Sequence, residues 1–252
     1  MKNLKKSFFL FFSLLAVYTI NAQVSGTISY TQTIQLDIKL PDGMELDGFD
    51  QAISIDKELS FKDQLSVYKD VKNNESNDQT MTSDDGSFQM TIGMDDSEEI
   101  FHTDFSNKQV VHQTGFMGKD FIIESDLEKH KWKLTGEKIK YLDFVCQKAE
   151  MVIEEEGKDV NIVAWFTSEI PVPIGPDSYN QLPGAILMIS KNDGKLEIKA
   201  TQVEMNDPAT ELFELPKKGK NVTQEEYDQI VEEKTEEMKK MFGDKKTTVI
   251  RG

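Results

Sequence analysis

The sequence predicts a mainly β fold: a single curved antiparallel sheet, a half-barrel-like meander, with an amphipathic helix near its C-terminal end. Three observations predict it. Apolar and polar residues alternate along most of the chain, the period of a half-buried strand. Tight turns rich in Gly, Asn and Asp separate these runs and leave no room for helical crossovers. Only one late segment, residues 223–242, has apolar residues at helical spacing.

The first element is a leader. Lys2, Lys5 and Lys6 precede an apolar stretch over residues 7–20, and Ile20-Asn21-Ala22 supplies small residues around a cut that leaves Gln23 first. The stretch is shorter than the roughly 20 residues of a spanning helix, and nothing later approaches that length. The expected division is therefore a signal peptide over 1–22, an antiparallel β domain over 23–216, and a helix and tail over 217–252 packing on that domain. No transmembrane segment is expected after cleavage, and a periplasmic, extracellular or outer-membrane-associated location follows.

Strands come next. Ile28, Tyr30, Gln32, Ile34, Leu36, Ile38 and Leu40 place one apolar face, broken by Gln32, on a strand that ends at Pro41-Asp42-Gly43. Leu65-Ser66-Val67 and the series Phe88, Met90, Ile92, Met94 read as further strands. Residues 100–105 and 109–112 form an expected hairpin across Ser106-Asn107-Lys108. Residues 144–154 and 160–166 flank a charged turn with Gly157, and residues 185–190 and 195–203 flank Asn192-Asp193-Gly194. In the helix, Thr223 and Glu226 have the spacing of a capping box, and Tyr227, Ile230, Val231, Met238, Met241 and Phe242 form one stripe. The apolar sheet face is expected to wrap around this stripe.

The formal charge is −16 for the whole chain, and removal of residues 1–22 takes three lysines and no acids with it. Such a balance disfavours nucleic acid and anionic lipid surfaces as partners. The single Cys146 excludes an internal disulfide, and its place in the alternation Phe144-Val145-Cys146 reads as the interior of a strand.

Two loops interrupt the strands. Residues 72–86 are polar. Residues 168–184 carry Pro171, Pro173, Pro176 and Pro183 with Gly175 and Gly184, a density that forbids a central strand and makes a stiff loop. Around it, Ala164-Trp165-Phe166-Thr167, Ile170-Pro171, Gly175-Pro176 and Leu182-Pro183-Gly184-Ala185-Ile186 resemble the signature of the GLPGLI family of exported Bacteroidota proteins. Cys146-Gln147-Lys148-Ala149 and Trp132-Lys133-Leu134 resemble further segments of that family. The chain departs from the pattern at Gln181 and Ala185, where Gly and Leu are usual. The resemblance implies export but no catalytic residue. Trp165, Pro171, Gly175, Pro176, Leu182, Pro183 and Gly184 are thus read as a structural loop, with Pro183 and Gly184 setting the angle at which the next strand leaves it.

Catalytic signatures are absent from the sequence. There is no G-x-S-x-G elbow, and the acidic groups Asp84-Asp85 and Asp95-Asp96-Ser97-Glu98-Glu99 lack EF-hand spacing and read as charged loop tips. A three-residue loop at 106–108 would set His102 opposite His112, but two histidines fall short of a metal site, and surface positions are expected for both. His130 lies among charges and reads as surface. No metal and no cofactor is expected. The leading expectation is a non-catalytic envelope protein that binds a partner protein or an apolar ligand. A hydrolase acting on peptide or glycan and a structural subunit of an outer-membrane assembly are the alternatives. A buried polar constellation with perturbed acids would favour the enzyme, and an empty apolar groove the carrier.

Overall fold

The computed structural model describes residues 24–36, 52–71, 79–82, 89–92, 97–155 and 157–242. The leader, the extension of the first strand beyond residue 36, Phe88, Met94 and Asp84-Asp85 lie outside them. The chain is mainly β, and its described residues include one open twelve-stranded sheet and one C-terminal helix.

Two meanders share the sheet. The first runs through β1 (Gly26–Gln35), β2 (Ala52–Lys62), β3 (Leu65–Asp70), β6 (Ile100–Asp104), β7 (Gln109–Phe116) and β8 (Lys119–Asp126). The second runs through β9 (Lys133–Tyr141), β10 (Phe144–Glu155), β11 (Lys158–Thr167), β12 (Ala185–Lys191) and β13 (Leu196–Glu204). Pairing of β1 with β13 joins them, Tyr30 opposite Ala200. β4 (Gln79–Thr82), inside the segment read as a polar loop, pairs with β5 (Gln89–Ile92), within the strand expected over 88–94, in a separate two-stranded sheet. The short β14 (Lys220–Val222) adds to β8 in parallel, so the large sheet is mixed rather than purely antiparallel.

Register puts the apolar positions of neighbouring strands on one face. Ile28 lies opposite Leu59, Leu59 opposite Tyr68, Tyr68 opposite Phe101, Phe101 opposite His112 and His112 opposite Ile123. A one-residue slip anywhere along this row would turn a strand's apolar set toward water. The hairpin turns hold the register. Asn192, Asp193 and Gly194 all take positive φ between β12 and β13, as their residue types favour.

What covers this face differs from the expectation. The proline-rich loop, not the helix, fills the main core: Ile170, Val172, Ile174, Tyr179 and Leu182 are buried among Ile28, Tyr30, Phe61 and Phe166. A loop can be buried only if its backbone groups find partners. Here Val172 N–H donates to the Ile170 carbonyl, Ile174 to Val172, Gln181 to Pro173, Ala185 to Ile170 and Ile186 to Ile174. Glycine permits the closest approach. A Cβ on Gly184 (φ +152°) would lie 2.0 Å from the Thr167 carbonyl oxygen, and one on Gly175 would lie 2.3 Å from that of Tyr179.

The helix α1 (Gln224–Phe242) packs at the other end of the same face. Val231, Tyr227 and Ile230 join Phe116, Phe121, Ile123 and Val222 in a separate small cluster. Val231 is buried and Ile230 half-buried. The capping box forms as its spacing requires: Glu226 N–H donates to Thr223 Oγ1 at 3.1 Å, and Thr223 N–H to Glu226 Oε2 at 3.0 Å.

Candidate functional site

Between the main core and the helix cluster the same sheet face becomes charged. In β2 the inward series Ile53, Ile55, Lys57, Leu59, Phe61 carries an ammonium in the middle, and the Lys57 side chain is only 2% exposed. Register sets Lys57 between Tyr30 on β1 and Asp70 on β3. Its Nζ lies 2.5 Å from Asp70 Oδ1 and 2.8 Å from Glu99 Oε2, and stands 5.7 Å from the centre of the Tyr68 ring. The Glu99 backbone N–H donates to Asp70 Oδ2 at 2.9 Å, fixing the start of β6 to the end of β3.

Glu99 is shared. Its Oε1 lies 3.4 Å from His112 Nε2, an approach whose direction misses a hydrogen bond, so the attraction is that of charge when the imidazole is protonated. The His112 ring stacks on Phe101 with centroids 3.9 Å apart. Burial by itself would raise the Glu99 pKa, but His112 and the Lys57 ammonium outweigh it and bring it down to about 2. Burial would likewise deprotonate Lys57; Glu99 and Asp70 reverse that and raise its pKa.

A third carboxyl comes from the proline loop. Asp177 takes φ +56°, which Asp tolerates, and accepts a hydrogen bond at Oδ1 from the Ser178 N–H. It is crowded by protein yet keeps some solvent exposure. Its pKa is raised, first by burial and then by the charge of Glu99, against the smaller opposing influences of His112, the Ser178 amide and Lys57. One site thus holds two carboxyls displaced in opposite directions. Among the described residues Asp70, Glu99 and Asp177 outnumber the ammonium of Lys57, and Asp177 is the carboxyl that forms no ion pair with a lysine.

Residues 152–188 match a family described as "Protein of unknown function (Porph_ging)", a span that includes the proline loop with Asp177. No curated protein matches the chain. Among solved structures, "Structure of PNGF-II in C2 space group" is similar with 17% identity and a TM-score of 0.49, covering 83% of this chain and 33% of that one. "Structure of PNGF-II in P21 space group" is similar with 16% identity and a TM-score of 0.48, covering 82% and 33%. The chain thus spans about a third of the length of these structures.

The residues singled out in the sequence fall elsewhere or take other roles. Trp165 is half-buried against the main core, and Gly175, Pro176, Leu182 and Gly184 are buried in the loop, while Pro171 and Pro183 are exposed. Trp132 Nε1–H donates to the Asn180 carbonyl and His130 Nε2 lies 2.9 Å from that of Ser178, so residues 130–132 clamp the loop that presents Asp177.

His102 and His112 do not face each other. The loop of β6–β7 has four residues, 105–108, so His102 lies opposite Val111 and the two histidines point to opposite faces of the sheet. His102 is buried rather than on the surface, with Nε2 3.0 Å from the carbonyl of Phe213 in a short 3-10 helix (Thr210–Phe213). Among the described residues no group of three or more metal-ligating side chains converges. Cys146 is buried in β10, and burial pushes its thiol up to about 11, so it is a packing residue rather than a nucleophile.

Lys57, Asp70, Glu99 and Asp177 escaped the sequence reading. Glu99 was placed on a charged loop tip, and it is instead 13% exposed within an ion-pair network. A signal existed for Lys57, a lysine in phase with the buried positions of an alternating strand. Asp177 had none, because its approach depends on how the loop folds back.

Proposed function

We propose that the chain is an exported cell-envelope protein of the GLPGLI kind, which acts by binding and holds a cationic group of its partner at Asp177. The observation that carries this is the surplus of carboxyls around Lys57. Among the described residues Asp177 has no ammonium in an ion pair with it; it stays protonated further up the pH scale than an ordinary aspartate, and still reaches solvent. A guanidinium or amine beside it would replace the missing charge, with release of any proton that Asp177 holds. The apolar-ligand version of the carrier has no room in the main core, because the proline loop occupies that face.

Agmatine serves as the probe. Calorimetry in buffers of different ionisation heat should show binding with proton release that grows as pH is lowered into the acid range and is small at pH 8. Asp177→Asn, which tolerates the same φ, should abolish binding and keep the fold. Agmatine binding that survives this substitution would refute the assignment. For export, protein recovered from envelopes should have the mass of a chain that begins at Gln23.

The opposite displacement of Glu99 and Asp177 favours one second reading, a hydrolase in which Asp177 is the proton donor. New amine or reducing ends released from peptide or glycan by the wild type, and not by Asp177→Asn, would decide for it.

A further inference from the structure

A second site lies at the far end of the same face, where the β7–β8 hairpin meets α1, and it shares no residue with the Lys57 cluster. A cleft of about 410 Å³ opens there, within the range of roughly 300–1,000 Å³ usual for small-molecule sites. Its floor is apolar, made by Phe116 and Phe121 from the sheet and Ile230 from the helix. Around that floor stand Lys119, Lys220 and Lys234, against the single carboxylate of Glu233. Lys234 is paired with Glu237 at 2.5 Å, whereas Lys119 and Lys220 have no carboxylate partner among the described residues. In a chain of formal charge −16, such a concentration of ammonium groups runs against the average of the surface. Ordinary solvated lysines would serve solubility as well on any face; these two flank an open apolar floor.

A second observation concerns Met117 on the lip of the cleft. It occupies the first position of the two-residue turn between β7 and β8, with φ +51° followed by Gly118 at +71°. Such a turn favours Asn, Asp or Gly at its first position, and methionine is unfavourable there. Met117 is also 46% exposed, so neither local conformation nor burial accounts for it. A flexible thioether that covers an apolar ligand does account for it.

From the cleft and its charge we infer that this end of the molecule binds a single-chain anionic amphiphile, a free fatty carboxylate whose tail lies on Phe116, Phe121 and Ile230 under Met117. Its carboxylate meets Lys119 and Lys220. The ammonium groups of Lys119 and Lys220 disfavour a cationic amphiphile of the same length, and the confined volume suits one acyl chain.

Dodecanoate below its micelle concentration is the test, titrated into the purified chain by calorimetry beside dodecanol and dodecyltrimethylammonium. Dodecanoate should bind one to one, dodecanol more weakly, and the cation not at all. The double substitution Lys119→Ala/Lys220→Ala should weaken dodecanoate by about tenfold. Met117→Asn gives the sharper result. Asparagine suits the turn, so the melting midpoint should rise while dodecanoate binding falls. The inference is overturned if dodecanoate fails to saturate, if the cation binds equally well, or if Met117→Asn leaves binding unchanged. Sedimentation of the chain with anionic phospholipid vesicles, in the absence of dodecanoate binding, would overturn it in favour of a membrane surface.

Discussion

Glu99→Gln isolates the charge that the buried cluster depends on. The substitution keeps the shape of the side chain and an oxygen that accepts from Lys57, and removes one negative charge between Lys57 and His112. In the folded chain the Glu99 pKa stands at about 2 against an ordinary 4.5. That difference corresponds to roughly 3 kcal/mol of stability, an upper figure for a single group. At 13% exposure the Glu99 side chain is little screened by solvent. A carboxyl whose folded pKa lies below its unfolded one stabilises the fold fully above the unfolded value. That contribution is lost as pH falls through the folded value, so the window here runs from about 4.5 down to about 2. Urea denaturation of wild type and variant at pH 7, 5, 3.5 and 2.5 reads the difference directly. The expected gap is about 2–3 kcal/mol at pH 7, still nearly full at pH 5, and closing toward zero at pH 2.5. A gap of constant size across this range would show that packing or hydrogen bonding, not charge, makes Glu99 matter. No gap at pH 7 would remove the cluster as an energetic unit.

Two further outcomes test the packing. Gly184→Ala puts a Cβ 2.0 Å from the Thr167 carbonyl oxygen, backbone against backbone. It should therefore cost at least about 3 kcal/mol in chemical denaturation, while Pro183→Ala at an exposed position should cost under about 1 kcal/mol. Val231→Asp should lower the melting midpoint far more than Ile230→Asp, because Val231 is 1% exposed and Ile230 only half-buried. Equal losses would refute the phase in which α1 meets the sheet.

The strands were legible wherever burial is one-sided. Ile28 and Tyr30 in β1, Phe166 in β11 and the hairpin at Asn192-Asp193-Gly194 needed only period two and turn chemistry to be read. β2 and β8 were missed because Lys57 breaks the alternating apolar series of the one, and the other buries Phe121, Ile122 and Ile123 in succession between polar ends instead of alternating. The histidines were misplaced by a single residue. A three-residue turn and a four-residue turn differ by one step, and one step in a strand moves a side chain to the other face. In the proline loop the absence of a strand was legible but its destination was not. Prolines exclude a strand, yet whether a loop lies on water or under a sheet depends on whether its backbone groups find partners, as Ile170, Val172 and Ile174 do.

By itself the sequence determined the mainly β class, the buried thiol of Cys146, the turn at Asn192-Asp193-Gly194 and the start of the helix, since each depends on neighbours within a few residues. Tertiary structure alone decided that the proline loop and not the helix fills the core, and that Lys57, Asp70, Glu99 and His112 meet within electrostatic reach of Asp177. These five come from β2, β3, the approach to β6, β7 and the loop after β11. Their spacing along the chain carries no trace of that meeting. Charges interact across space through a poorly polarisable interior, so their chemistry is set by the sheet register and the returning loop, which no local pattern encodes.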